Sequence, residues 1–149
     1  MCSSDLEHTT FDDVTGILGN RSTARELAVA MREALKDPLL ARIMRTRRAT
    51  ITSKSEAVTV EYKSSVPPLW HRGFKVRGGK TGTTEGAGHC MLIGAEVDGR
   101  DVTVALLGGK TAGSRLRDFT KLARGAVSHM YSSHPSYTSR ARTTLDTSR

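Results

Sequence analysis

Two predicted helices followed by strands and one closing helix indicate an α+β fold, in which helices pack on an antiparallel sheet. Thr23 and Glu26 have the spacing of a helix-capping box. Asp98-Gly99 is the dipeptide preferred in two-residue hairpin turns. An apolar stripe at helical spacing runs from about Ser114 to Tyr131. These three observations fix the beginning, the middle and the end of the predicted order.

The two N-terminal helices are marked by their caps and by apolar spacing. Five residues after Thr23 repeat at helical intervals, namely Ala24, Leu27, Ala28, Met31 and Leu35. Asp37-Pro38 ends this helix and begins a short second one through about Met44, because proline suits a first helical turn and aspartate can cap it.

The strands follow. Thr50–Thr52 and the alternating Val58, Val60 and Tyr62 predict a hairpin around a polar turn at Ser53–Glu56. Pro67-Pro68 opens a loop that carries Trp70 and His71, and a strand runs from Phe74 to Thr84. Segments 90–97 and 100–107 flank Asp98-Gly99 and predict two adjacent core strands, with Cys90 as a packed core thiol.

Composition indicates one modest soluble domain, since the chain has 149 residues, 37% of them hydrophobic and 26% charged. The net charge of +8 lies partly in a cluster at Arg42, Arg45, Arg47 and Arg48 and partly in a Ser/Thr-rich tail. No nucleic-acid-binding fingerprint accompanies it, so we expect a solvated basic face and no nucleic-acid partner. Neither the two cysteines nor any His and carboxylate cluster has metal-ligand spacing, so we expect no metal and no cofactor.

The most informative motif is Lys80-Thr81-Gly82 within the predicted strand, in the run Gly-Gly-Lys-Thr-Gly-Thr-Thr from Gly78 to Thr84. The end of a phosphate-binding P-loop offers a rival interpretation, which Gly109-Lys110-Thr111 shares. That motif needs a glycine five positions before its second glycine, where this sequence has Phe74 and Val104. The spacing therefore argues against nucleotide binding.

A wider pattern around this motif resembles the serine-type D-alanyl-D-alanine carboxypeptidases, the low-molecular-mass peptidase family of penicillin-binding proteins. Lys-Thr-Gly, a short loop, then Ala87-Gly88 and a thiol at Cys90 follow the arrangement of that family. Residues 9–28 are similar to its segment before a helix, and Gly108-Gly109, Thr111 and Arg115 match its pattern at the last helix. The resemblance covers residues 7–131 and implies part of a β-lactamase or penicillin-binding transpeptidase-like fold.

The resemblance implies a role for each residue of the strand. Lys80 is the catalytic residue, whose ammonium provides a positive field beside the nucleophile. Thr81 binds the terminal carboxylate of the substrate, and Gly82 leaves room for an extended peptide. Thr83 offers its backbone N–H to the oxyanion, and Arg115 adds carboxylate recognition. The implied partners are a peptidoglycan stem peptide ending in D-Ala-D-Ala and, for the intact enzyme, β-lactam antibiotics.

Two motifs of that family are absent from this sequence. None of the seven lysines follows a serine by three positions, and the one asparagine, Asn20, follows Leu18 by two, so neither Ser-x-x-Lys nor Ser-x-Asn is present. We therefore expect a C-terminal fragment of the peptidase domain over residues 7–131, inactive by itself. Residues 1–6 are predicted to be a non-native leader and residues 132–149 a disordered basic tail. The intact protein is expected outside the cytoplasmic membrane, although this chain has no recognisable signal peptide.

Two alternatives remain open at the level of sequence. A β-lactamase relative also carries Lys-Thr-Gly, although the segment Ser22–Ala28 favours the carboxypeptidase. A non-catalytic envelope or nucleic-acid-binding module that uses the basic surface is the other alternative.

Overall fold

The computed structural model describes residues 6–55, 58–66 and 74–133. Its elements follow the predicted order of helices, strands and a closing helix, and they confirm the α+β class. In chain order they are α1 (Ala24–Ala34), α2 (Pro38–Arg45), β1 (Arg48–Thr52), β2 (Thr59–Lys63), β3 (Lys75–Thr84), β4 (Gly88–Val97), β5 (Arg100–Gly109) and α3 (Ala112–Ser133).

The main sheet has three antiparallel strands in the order β3-β4-β5, with β4 at its centre. Val97, the last residue of β4, pairs with Arg100, the first residue of β5, so the turn between the strands has two residues, as predicted. Asp98 and Gly99 have φ values of 50° and 75°. Both values lie in the left-handed region that a type I′ turn requires, which explains the Asp-Gly dipeptide.

The core lies between this sheet and α3. Alternate residues of β4 point to α3, and the contact centres on Ile93 and Phe119, both fully buried. The Phe119 ring meets Phe74 edge to face, with 5.2 Å between the ring centroids. The apolar stripe predicted for the last helix is therefore its core face, and the helix extends about two residues beyond the predicted range at each end.

The opposite face of the sheet receives α1 through a notch formed by two glycines. Gly78 of β3 and Gly94 of β4 are directly paired. A Cβ atom at Gly94 would lie 2.3 Å from Leu35 Cδ1, and one at Gly78 would lie 2.7 Å from Leu35 Cδ2. Only residues without side chains allow Leu35 to approach this closely, so the two glycines set the position of α1 on the sheet.

Both predicted helix caps are present, but the capping box at α1 is only half formed. Thr23 Oγ1 accepts a hydrogen bond from the Glu26 amide at 3.2 Å, and Asp37 caps α2. The Glu26 carboxylate turns to the preceding segment, where it accepts from the His8 amide at 3.1 Å and from Thr9 Oγ1 at 2.5 Å. The capping box also predicts that the Glu26 carboxylate accepts from the Thr23 amide, and this part was wrong. The His8 amide and the Thr9 hydroxyl occupy the carboxylate oxygens instead.

The predicted hairpin after α2 is confirmed as a separate two-stranded sheet of β1 and β2. The Ser53 amide donates to the Val58 carbonyl at 2.8 Å and closes its turn. Ile51, Val60 and Tyr62 stay exposed. The predicted loop residues Trp70 and His71 lie outside the described residues, as do residues 1–5 of the predicted leader and residues 134–149 of the predicted tail 132–149.

Candidate functional site

The predicted site residues of β3 lie on a strand at the edge of the sheet. Within the described residues β3 pairs with β4 alone, so its second edge has no strand partner. Such an edge presents unpaired backbone N–H and C=O groups to an extended chain. Lys80, Gly82 and Thr83 are exposed and Thr81 is half-buried.

Strand alternation divides these four residues between the two faces of the sheet. Lys80 pairs with Leu92 and Gly82 with Cys90, on the face that receives α1. Thr81 and Thr83 project to the face that carries α3. A ligand that lies along the edge of β3 can therefore contact side chains on both faces.

A cleft of about 660 Å³ opens on the α1 face beside Lys80. We name it the loop cleft, because its outer wall is the loop of residues 11–20. The strand side of the cleft contains Lys80, Thr81 and Gly82, and its floor is apolar, with Leu92 and Leu107. A Cβ atom at Gly82 would meet no atom within 4 Å. The surface beside Gly82 is therefore open, as an extended peptide requires.

A second groove of about 440 Å³, the edge groove, runs along the free side of β3. Its lining includes Gly79, Lys80 and Thr81 on one side and Tyr62 and residues 63–66 on the other. Lys80 and Thr81 thus border both the loop cleft and the edge groove. The Lys80 ammonium donates to the carbonyl oxygen of Thr81 and so lies close to the strand.

Asn20 and Asp13 hold the wall of the loop cleft in shape. Asn20 Oδ1 accepts from the amides of Asp12 and Asp13 at 2.8 and 3.0 Å, and Asn20 Nδ2 donates to the Asp13 carbonyl at 2.8 Å. The Thr15 hydroxyl, with the amides of Thr15 and Ile17, holds the pKa of Asp13 well below its usual range. The loop is therefore rigidified by its own side chains, which the sequence pattern did not predict.

Thr81 and Thr83 each have a side-chain partner. The hydroxyls of Thr81 and Ser65 hydrogen-bond to each other across the edge groove. Thr83 Oγ1 lies 3.1 Å from Nδ1 of His89, its paired residue on β4. Ser65 was missed in the sequence, where a serine after a short strand carries no motif. His89 is the second residue of β4.

Arg115 lies at the start of α3, on the face of the sheet that carries Thr81 and Thr83. Its guanidinium donates to the Cys90 carbonyl at 3.1 Å, where the pairing of β4 with β5 shifts between His89 and Met91. The arginine therefore satisfies a carbonyl at a β-bulge. β5 and β3 are two strand spacings apart, roughly 10 Å. The Arg115 guanidinium contacts β4, the strand between them.

Cys90 is not the packed core thiol that the apolar strand predicted. It is half-buried, lines the loop cleft, and its thiol lies 3.3 Å from the Ala87 carbonyl oxygen. Alternation explains the difference, since the α3 core takes Met91 and Ile93 and leaves Cys90 on the other face.

Two further observations concern only the described part of the chain. No three His, Cys, Asp or Glu side chains are grouped so that they could hold a metal ion. No helix among these residues has both the length and the apolar character needed to cross a membrane.

Comparison with known proteins relates this chain to one family. A family model described as D-alanyl-D-alanine carboxypeptidase, peptidase family S11, matches residues 3–111. The D-alanyl-D-alanine endopeptidase of Escherichia coli (strain K12) is 24% identical over 106 residues, which cover 70% of this chain and 34% of the relative. The endopeptidase of Pseudomonas aeruginosa is 25% identical over 120 residues, which cover 80% of this chain and 39% of the relative.

Solved structures give the same result. A D-alanyl-D-alanine carboxypeptidase from Mycobacterium tuberculosis H37Rv superposes with a TM-score of 0.61 at 25% identity, over 72% of this chain and 41% of that one. An evolved putative penicillin-binding protein homologue from Mycobacterium tuberculosis gives a TM-score of 0.61 at 26% identity over the same shares. The chain therefore spans between a third and two-fifths of the length of the relatives that it matches.

Proposed function

Because this chain belongs to the D-alanyl-D-alanine carboxypeptidase family of peptidases, we propose that it is the substrate-holding part of a serine-type D,D-carboxypeptidase. Its ligand is a peptidoglycan stem peptide that ends in D-Ala-D-Ala. One observation carries the proposal: among the described residues, an exposed lysine lies on the edge strand of the sheet, between two clefts. A cell-wall peptide is exposed outside the cytoplasmic membrane, which is where the intact protein would act.

In this proposal the peptide binds as an added strand along the free edge of β3. Backbone hydrogen bonds supply affinity in this mode of binding, and side chains at alternate positions supply specificity. The Lys80 ammonium attracts the terminal carboxylate, and the Thr81 hydroxyl donates to it. Gly82 supports the arrangement, since the space beside it is open.

Thr83 and Arg115 have supporting roles in the proposal. Thr83 offers its backbone N–H to the oxygen that becomes negative when the peptide carbonyl is attacked. Arg115 adds positive charge on the α3 face, which favours the substrate carboxylate. Its hydrogen bond to the Cys90 carbonyl uses one terminal nitrogen, Nη1, and fixes the direction of the guanidinium.

Acyl transfer needs a nucleophile that this sequence does not provide through Ser-x-x-Lys. In the complete reaction a serine attacks the D-Ala-D-Ala carbonyl, terminal D-alanine leaves, and water releases the acyl-enzyme. We therefore assign binding and electrostatic stabilisation to residues 80–83 of this chain, and covalent chemistry to a serine outside it. In this proposal, peptidase activity that β-lactams inhibit requires the complete peptidase.

The test is a titration of the isotope-labelled chain with an acylated peptide ending in D-Ala-D-Ala, followed by amide NMR shifts. We expect saturable shifts at residues 80–83. Lys80→Gln should weaken binding about tenfold, which corresponds to about 1.4 kcal/mol. Blocking the peptide carboxylate as an amide should weaken binding to wild type by a similar factor, because the same ion pair is lost.

Lys121→Gln is the matched control, since Lys121 is exposed on α3 and lines neither cleft. It should change the affinity less than twofold, as exposed charges distant from a ligand are screened. Equal affinity of the Lys80→Gln variant and wild type for the free-acid peptide would refute the proposal.

A further inference from the structure

A third cavity, distinct from the two clefts beside Lys80, lies at the end of the sheet where β4 turns into β5. It has a volume of about 400 Å³, is open to solvent, and is bordered by α1, α2 and the α1 face of the sheet. Four cations line it, namely Arg32 of α1, Lys36 of the turn after α1, Arg45 of α2 and Arg77 of β3. We name this cavity the basic pocket. Asp101 is the one carboxylate in its lining.

Two of the four cations already have carboxylate partners. Lys36 Nζ lies 2.7 Å from the carboxylate of Glu33 in the last turn of α1. Arg77 binds Glu96 at 2.5 Å and Asp101 at 3.3 Å. These ion pairs occupy donors of Lys36 and Arg77, although both side chains remain accessible to solvent.

Arg32 and Arg45 differ from the other two. Within residues 6–55, 58–66 and 74–133, no carboxylate lies within ion-pair distance of either guanidinium. The hydrogen bond from Lys36 lowers the pKa of the Glu33 carboxylate, and the charge of Arg32 adds to this effect only at longer range. Both side chains are exposed at the rim of the pocket. Their hydrogen-bond donors are therefore available to a ligand that enters it.

Like charges placed this close destabilise the fold unless an anion joins them. Arg32 lies in the last turn of α1, and Lys36 lies in the turn that follows it. Arg45 brings a further positive charge from α2 to the same cavity. An anion with several oxygens would join the Arg32 and Arg45 guanidiniums and reduce this repulsion, so the cations point to an anionic ligand.

The geometry also restricts the ligand class. A guanidinium is a planar fork that binds two oxygens of a phosphate or carboxylate, and it stays charged at all ordinary pH values. The guanidiniums of Arg32 and Arg45, on different helices, can bind different oxygens of one tetrahedral phosphate. Thr103, which lines the wall of the pocket on β5, offers a hydroxyl. Phosphate fits this donor set better than a single carboxylate, because it provides more oxygens and more charge.

We propose that the basic pocket binds a phosphate group through Arg32 and Arg45. The proposal is independent of peptide binding at Lys80, since no residue of the pocket lines the loop cleft or the edge groove. The phosphate can be free or can belong to a polyphosphate chain. Both sources share the recognised chemistry.

The experiment titrates the labelled full chain with inorganic phosphate and, separately, with tripolyphosphate at constant ionic strength. Saturable amide shifts should appear around Thr103 and Arg45, with no shifts at residues 80–83. The double variant Arg32→Gln/Arg45→Gln should bind at least about tenfold more weakly. Arg32→Lys/Arg45→Lys should lie between, because it keeps the charge and loses the fork.

The control is Arg25→Gln/Arg42→Gln, which removes one exposed arginine from each of the same two helices outside the pocket. It should change the affinity less than twofold. All variants alter exposed side chains, and their amide spectra verify folding. Tighter binding of tripolyphosphate than of phosphate would identify a chain of phosphates as the preferred ligand, whereas equal binding would identify the single group.

Three results would overturn the proposal. One is equal loss of affinity in the control and in the Arg32/Arg45 variant, which would indicate attraction to net charge alone. The second is shifts that do not saturate. The third is phosphate shifts centred on residues 80–83, which would assign the anion to the peptide site.

Discussion

The hydroxyl groups of Ser65 and Thr81 hydrogen-bond to each other across the edge groove beside β3. Ser65 belongs to the segment after β2, and Thr81 to the strand proposed to bind a peptide carboxylate. The contact joins the two sides of the groove. It also fixes the rotamer of the threonine hydroxyl before any ligand arrives.

Ser65→Ala should weaken binding of a D-Ala-D-Ala peptide roughly two- to tenfold, the range for loss of one orienting hydrogen bond. Thr81 would then have to be ordered by the ligand itself. Peptide titration monitored by amide shifts measures the effect, with Ser128→Ala on α3 as control. Tighter binding by Ser65→Ala would mean that Ser65 competes with the ligand for Thr81.

Penicillin should form no covalent adduct with this chain. The Lys-Thr-Gly strand can attract a carboxylate, but acylation needs the serine of Ser-x-x-Lys, which the sequence lacks. Intact mass measurement after incubation with benzylpenicillin checks this, with a complete family member as the positive control. A stoichiometric mass increase by one penicillin molecule would show that another nucleophile operates here.

Stability should fall in acid through Glu26, whose carboxylate ties residues 8–9 to α1. The hydrogen bond from Thr9, with those from His8, lowers the pKa of Glu26 in the folded protein, against the effect of burial. A lowered pKa stabilises the fold fully above the ordinary glutamate pKa. This contribution is lost as the pH falls through the lowered folded-state value.

Glu26→Gln should therefore lower the thermal midpoint by a few degrees at neutral pH, and this difference should shrink as the pH approaches 3. Thermal unfolding followed by circular dichroism from pH 7 to pH 3 measures both trends. Glu85→Gln, at an exposed loop position, is the control. A difference between Glu26→Gln and wild type that stays constant with pH would show that the carboxylate charge has no part in the contact.

Gly94→Ala should destabilise the fold by about 1–3 kcal/mol, the usual cost of overpacking. The new methyl group would overlap Leu35, which lies 2.3 Å from its ideal position. Urea unfolding gives the free energy of unfolding. Gly86→Ala is the matched control, since a Cβ atom there meets nothing within 4 Å. If Gly94→Ala and Gly86→Ala have the same free energy of unfolding, the packing of Leu35 on the sheet does not require glycine at position 94.

Local signals in the sequence predicted most elements of the fold. The Asp98-Gly99 turn needs left-handed backbone at both positions, and few other dipeptides adopt it easily. Asp37 and Pro38 begin α2 because capping acts within a single turn. The Lys-Thr-Gly motif identified the family from three adjacent residues and their surroundings. These features depend on neighbours in the chain, and a sequence displays such neighbours directly.

Contacts between distant segments could be decided only by the tertiary structure. Ser65 meets Thr81 across 16 positions, and the Arg115 guanidinium meets the Cys90 carbonyl across 25. The division of Lys80 and Thr81 between two faces followed from strand register, as did the place of Cys90 in the loop cleft. The sequence alone determined which elements form and which family they belong to. Packing and register determined what each side chain meets, because both depend on how separate segments come together in space.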